Sequence, residues 1–223
     1  LRTGPNVDLV TGFDLMSAED EILLYEYIKK HKPLVVIMGP PCTAFASWSR
    51  LNRINAYDTW KEKRRIGTRL AGIAANIAEL QMRNGRYFLI ENPANCRAWL
   101  EDPLLQLEKD PRLHAVVGHA CAHNLQSIVE PGKFLRKAHR WMTNHPELAK
   151  FLEQKCPDPR EESGHHFHRA VEGSDTKHSG AYTPELAEGI MQALGHADLS
   201  SAHLTISHAA FSASCFERAY QKP

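Results

Sequence analysis

No stretch of this sequence is long and apolar enough to read as a membrane span, and its start lacks the charged-then-apolar pattern of a secretory signal. Neither membrane insertion nor export is therefore expected. An excess of charge of one sign is lacking too: 27 Lys and Arg stand against 26 Asp and Glu, a formal net charge of +1. That excludes a global electrostatic argument for nucleic acid and leaves only local patches. Cysteine is sparse. Cys42, Cys96, Cys121, Cys156 and Cys215 form an odd, widely spaced set, which argues against a disulfide scaffold and suits a reducing compartment. They read as free thiols or metal ligands, and the expected location is intracellular, nuclear in a eukaryote. No internal repeat is present. The first residue is Leu1 and not Met, so the chain is expected to be a fragment. Its 223 residues can bury a good core and are most simply one domain.

The stretch around which the rest is organised is Val35-Val36-Ile37-Met38-Gly39-Pro40-Pro41-Cys42. Four apolar residues bounded by Gly and Pro fit a strand covered on both faces. The two prolines remove backbone donors and end it. Cys42 is thereby placed at the carboxyl end of a central strand, the edge at which open α/β sheets bind ligands. A second strand signal, Arg86-Tyr87-Phe88-Leu89-Ile90, runs directly into Glu91-Asn92-Pro93. A thiol and a carboxylate are expected side by side at one sheet edge.

In chain order, Val7 to Val10 is a short apolar-polar segment, and Ser17 with Asp20 can cap a helix carrying Ile22, Leu23 and Ile28. Residues 43–59 show no clear period and read as a polar loop with Trp48, Arg50 and Arg53. A helix is predicted from about Lys63 to Asn84, with Ile66, Leu70, Ile73, Ile77 and Leu80 on one face and Gly85 as its stop. A short helix around Trp99 to Leu107, a strand at Leu113 to Val117, and a basic strand over Lys133 to Thr143 follow. Two last helices start at Pro146 and at Thr183-Pro184. Residues 196–223 carry no structural signal. Strands alternating with helices give an α/β class with a mainly parallel sheet.

Pro40-Pro41-Cys42 with Phe45 three residues on, followed after a long helix by a strand ending in Glu91-Asn92-Pro93, resembles the Pro-Cys and Glu-Asn motifs of cytosine-5 DNA methyltransferases. It is most similar to a compact, divergent branch found in retroelement-type polyproteins, whose second motif reads Glu-Asn-Pro. The likeness spans roughly Val7 to Leu194. It implies a Rossmann-like methyltransferase fold with a doubly wound, mainly parallel sheet over residues 1–195, a tail over 196–223, and S-adenosylmethionine as cofactor. By the resemblance, Asp14 contacts the adenine amino group, and Pro40, Asn92, Pro93 and Ala181 belong to the cofactor site. Ala181-Tyr182-Thr183-Pro184-Glu185-Leu186-Ala187 resembles the last family motif, and Lys133 to Asn144 resembles the strand of the Arg motif, with Arg136 as the catalytic arginine. The family's Gly-rich loop and first strand should precede Val7 and are missing here, and Ala46 stands where Ser is usual. The target-recognition region is reduced to residues 144–180. The fragment alone is expected to bind the cofactor weakly and to be inactive.

Carbon 5 of cytosine is a poor nucleophile until a thiolate adds to carbon 6. The implied roles are therefore Cys42 as nucleophile and Glu91 as the acid that shares a proton with ring N3. The base must be flipped out of a duplex or already single-stranded. The expected partner is DNA and the expected state a monomer. A lone Cys is ordinarily a small buried residue; the conjunction with Glu91 on a second strand end is what favours chemistry. The other reading is a catalytically inactive nucleic-acid-binding module of a retroelement protein. Cys156 with His165, His166 and His168, joined by His119, Cys121 or His123, offers zinc ligands at a spacing that matches no standard finger. Arg136, Lys137, Arg140, Arg50 and Arg53 are either phosphate contacts or a solvated basic face.

Overall fold

The computed structural model describes residues 2–46, 49–156, 166–195 and 205–210. Its elements are β1 (Arg2–Thr3), α1 (Ala18–His31), β2 (Val35–Gly39), α2 (Ser49–Asn55), α3 (Tyr57–Arg83), β3 (Tyr87–Pro93), α4 (Asp102–Leu107), β4 (His114–His119), β5 (Phe134–Leu135), β6 (Ala138–Thr143), α5 (Pro146–Leu152), β7 (His168–Arg169), α6 (Ser174–His178), α7 (Pro184–Gly195) and β8 (Thr205–Ala210). The architecture is mixed α/β. The main sheet has the order β1-β8-β2-β3-β6-β4, and β5 pairs with β7 in a separate two-stranded ribbon.

The sheet is mixed where a mainly parallel one was expected. β2 runs parallel to β3 and β8, but β6 is antiparallel to both its neighbours, β3 and β4. The basic segment predicted as one strand is split: β5 leaves for the ribbon, and Arg136-Lys137 form the bend into β6. The tail read as featureless contributes β8, parallel to β2.

Alternation along the strands sorts the core. Val36, Met38, Phe88, Ile90 and Met142 face α1, α3 and α4, whereas Val35, Ile37, Leu89 and Trp141 face α5 and α7. Phe88, Leu89 and Ile90 are completely buried, each contributing about 1.5–3 kcal/mol relative to exposure. Ser17 caps α1 by accepting from the Asp20 N–H, and Lys32, at φ +49°, ends it. Buried Gln81 on α3 donates to the carbonyls of Pro33 and Tyr87, fastening that helix to the start of β2 and β3.

The stretch read as a polar loop is helical over α2 and over the first turns of α3. It lacks an apolar period because it lies on the surface. What holds it is cation-π contact, with Arg53 5.5 Å above Trp60 and Arg64 5.4 Å above Phe45, together with the Arg64–Glu101 ion pair.

Candidate functional site

β2 and β3 lie in register with Met38 opposite Ile90, so their carboxyl ends deliver Cys42 and Glu91 to one edge. Pro40 and Pro41 are buried and the thiol of Cys42 is half-buried at the start of the 3-10 turn Thr43–Phe45. Cys96, buried at the cap of the turn Arg97–Leu100, hydrogen-bonds to it. That bond holds Cys42 below the ordinary thiol range, and the Lys137 ammonium acts in the same direction against partial burial and the Glu91 carboxylate. Cys96 is correspondingly pushed far up, first by its role as donor to Cys42 and then by burial. Of the two, Cys42 is the thiol more readily ionised and Cys96 the one that keeps its proton.

Glu91 sits 2.5 Å from Nδ1 of His139 on β6. His139 is 5% exposed and stacks on Trp141, with ring centroids 5.4 Å apart. Tyr182 also packs against Trp141, ring centroids 5.7 Å apart, and its hydroxyl is pushed well up, by burial first and by the Glu91 charge second. The carboxylate therefore stands among an imidazole and a protonated phenol, groups able to hold and pass a proton.

The other expected residues fall as follows. Arg136 is exposed, and its charge is felt at His119 and Cys121 and not at Cys42; the cation near the thiol is Lys137. Asp14 is exposed in the turn before α1, where its Oδ1 accepts from the Met16 N–H and its own N–H donates to Asp20. Asn92 is 2% exposed, and its Nδ2 has no hydrogen-bond partner among the described residues. A buried amide left without a partner among the described residues, at the strand end before Pro93, is a group that a bound ligand could satisfy. Ala181 is exposed. Sequence reasoning missed Cys96 and His139. The period of two that puts His139 on the same face as Trp141, with Glu91 and Leu89 sharing a face on β3, could have found the histidine.

A second constellation lies across the molecule's chain order. Cys121, Cys156, His166 and His168 place their four ligand atoms within 4.8 Å of one another and could hold a metal ion. β4 ends at His119 and turns through Ala120–His123 to present Cys121. Gly118 allows the end of α5 to lie against it, since a Cβ there would stand 2.0 Å from the Leu152 carbonyl oxygen. The His119 N–H then donates to Gln154 O and the Cys156 N–H to His119 Nδ1. The β5–β7 ribbon brings in the histidines, with Phe134 stacked on His166 at 3.9 Å. Three S···N separations, 3.4, 3.4 and 3.6 Å, match the edges of a tetrahedron with metal–sulfur bonds of about 2.3 Å and metal–nitrogen bonds of about 2.0–2.1 Å. Without an ion, burial and the neighbouring Cys156 push the Cys121 thiol up to about 12. His165, expected as a ligand, lies outside the described residues. Of the proposed additional ligands, Cys121 joins the set, His119 supports it, and His123 packs against Phe151.

No protein family, curated protein or solved structure matches the chain. Among the described residues no helix is long and apolar enough to cross a membrane.

Proposed function

We propose that this chain carries the thiol–carboxylate half-site of a cytosine-5 DNA methyltransferase-like enzyme. The observation that supports this most is the Cys42 thiol, held below the ordinary range at the end of β2, beside a strand that ends in the His139-bound carboxylate Glu91. In this reading the Cys42 thiolate adds to carbon 6 of a flipped or single-stranded cytosine, making carbon 5 enamine-like, while Glu91 shares a proton with N3. His139 keeps the carboxyl oriented, and Tyr182 excludes water from its flank. S-adenosylmethionine, when bound, supplies the methyl group; Asn92, Pro40 and Asp14 are the residues that would hold it. Loss of the carbon 5 proton and departure of the thiolate then restore the ring and the enzyme.

The same reading makes the Cys/His cluster a zinc site. Two thiolates and two imidazoles are the donor set zinc prefers, and four protein ligands close the coordination sphere, so the ion is structural.

The test uses an oligonucleotide containing 5-fluorocytosine with S-adenosylmethionine and the full chain. Fluorine at carbon 5 blocks the last elimination, so the expected product is a stable, methylated adduct on the Cys42 peptide, read by mass spectrometry. Protein that binds the strand and the cofactor yet forms no adduct overturns the proposal.

A further inference from the structure

A cleft of about 790 Å³ opens at the turn that follows Cys42, lined by Ala44, Phe45, Ala46, Ser49, Arg53, Trp60, Arg64, Asn95 and Arg97. Its walls are the residues flanking the two hydrogen-bonded cysteines: Ala44 to Ala46 follow Cys42, and Asn95 and Arg97 stand on either side of Cys96. Three guanidinium groups line it, and among the described residues no carboxylate does. Arg64 is committed to Glu101, but Arg53 and Arg97 have no ion-pair partner among the described residues. Arg53 and Arg64 lie over the Trp60 ring at 5.5 and 5.8 Å, and the buried Trp60 Nε1–H has no hydrogen-bond partner among the described residues.

Guanidiniums without a carboxylate partner among the described residues, an indole whose N–H has no partner there, and a concave surface are the elements of a groove that follows a single-stranded backbone while a base rests on an aromatic ring. We infer that this cleft takes the sugar-phosphate backbone of single-stranded nucleic acid next to the reacting base, with Arg53 and Arg97 on phosphates and Trp60 as the stacking ring. The inference rests on the proposed function for the identity of that base, and it deepens it by naming where the strand runs. It also gives local positive charge a purpose in a chain whose net charge is close to zero.

The experiment is fluorescence anisotropy with a short fluorescein-labelled single-stranded DNA, and with RNA of the same sequence, over a series of salt concentrations. The full chain is compared with Arg53→Ala/Arg97→Ala and with Arg53→Gln/Arg97→Gln, each checked by thermal melting. Each lost phosphate contact on a single strand lowers the salt slope by about 0.7, so both double variants should lose about 1.4 of slope and bind about 25-fold more weakly at 0.1 M salt. Binding should also quench fluorescence that Trp60→Phe lacks. Unchanged slope and affinity in both folded double variants overturn the inference. DNA and RNA arms that respond alike place recognition on the phosphates; a response confined to one strand type adds the sugar. Trapping at Cys42 with an unchanged slope removes the cleft and leaves the proposed function. Loss of slope without trapping removes the enzyme and leaves a strand-binding module.

Discussion

Glu91 and His139 are diagonal partners across the antiparallel β3–β6 ladder, Oε1 to Nδ1 at 2.5 Å, two pairs removed from the direct register in which Glu91 faces Trp141. The imidazole compensates a carboxylate that is mostly withdrawn from water. Glu91→Gln keeps shape and a hydrogen bond but removes the acid, so methyl transfer should slow by roughly 10²- to 10⁴-fold with little change in melting. His139→Ala leaves the carboxylate without its partner and should cost about 1–3 kcal/mol in urea unfolding. A wild-type rate for Glu91→Gln would remove Glu91 from the chemistry.

Cys96 is expected to set the reactivity of Cys42. Cys96→Ala removes the thiol donor that holds Cys42 down, so the pH midpoint for alkylation of Cys42 by iodoacetamide should move upward and its rate at neutral pH should fall. Cys42→Ser should abolish both alkylation at this position and adduct formation, because a hydroxyl offers almost no anion at neutral pH. An unmoved alkylation midpoint in Cys96→Ala would show that the bond between the two thiols has no chemical effect.

The zinc assignment predicts about one equivalent of zinc in protein purified without a histidine tag. Cys121→Ser/Cys156→Ser should lose the metal and melt lower, and strong chelators should lower the wild-type melting temperature in the same way. Metal analysis decides it: less than about one-tenth of an equivalent rejects a structural ion.

Gly118 is fixed by its surroundings. A Cβ there would meet the Leu152 carbonyl oxygen at 2.0 Å and the Gln154 carbonyl oxygen at 3.1 Å. Gly118→Ala must therefore push α5 away from β4, at a cost of roughly 1–3 kcal/mol or more in chemical denaturation. Because Cys121 and Cys156 follow these two elements, the same variant should also weaken metal retention.

His145 caps α5 through Nδ1, which accepts from the Leu148 N–H at 3.2 Å. Burial lowers its pKa below the usual value near 6.5. Above that value the imidazole is neutral in both folded and unfolded chains, and its contribution is complete. As pH falls through 6.5 towards the folded pKa the unfolded chain gains the proton first, so stability declines. His145→Asn preserves a capping oxygen and cannot titrate, and it should reduce the acid loss of stability in urea titrations at pH 7 and pH 5.5. Identical losses in both proteins would assign the decline to other groups.

Much of this site was legible because strong local rules act on it. Val35 to Gly39 was readable as a strand and Pro40-Pro41 as its end, and those signals suffice to place Cys42 at the sheet edge. Ile66, Leu70, Ile73 and Ile77 likewise marked the buried face of α3. The rest depends on contacts between residues distant in sequence. Cys96 is 54 positions from Cys42 in the chain, and only the turn at Arg97–Leu100 brings the two together. α2 could not be read because a helix exposed on most sides has no apolar stripe. The antiparallel sense of β6 is set by its pairing with β3 and β4, which no period in the sequence records. His166 and Cys121 were among the candidate ligands, but choosing them required the β5–β7 ribbon and the close approach at Gly118.

The place of β6 between β3 and β4 also sets the sequence of events as the chain assembles. β4 is made before β6, yet among the described residues it pairs with β6 and not with β3. A nascent chain ending before Ala138 thus has a sheet that stops at β3 and a β4 strand with no ladder to join. β4 can join the sheet only through β6, across the excursion from Ala120 to Lys137, a non-local pairing of the kind that slows folding. The segment carrying Cys121 and the bend at Lys137 is that excursion. Docking of β6 on β3 brings Lys137 and His139 to the edge that already holds Cys42 and Glu91 and sets Cys121 in place, and the end of α5 with the β5–β7 ribbon then completes the metal cluster.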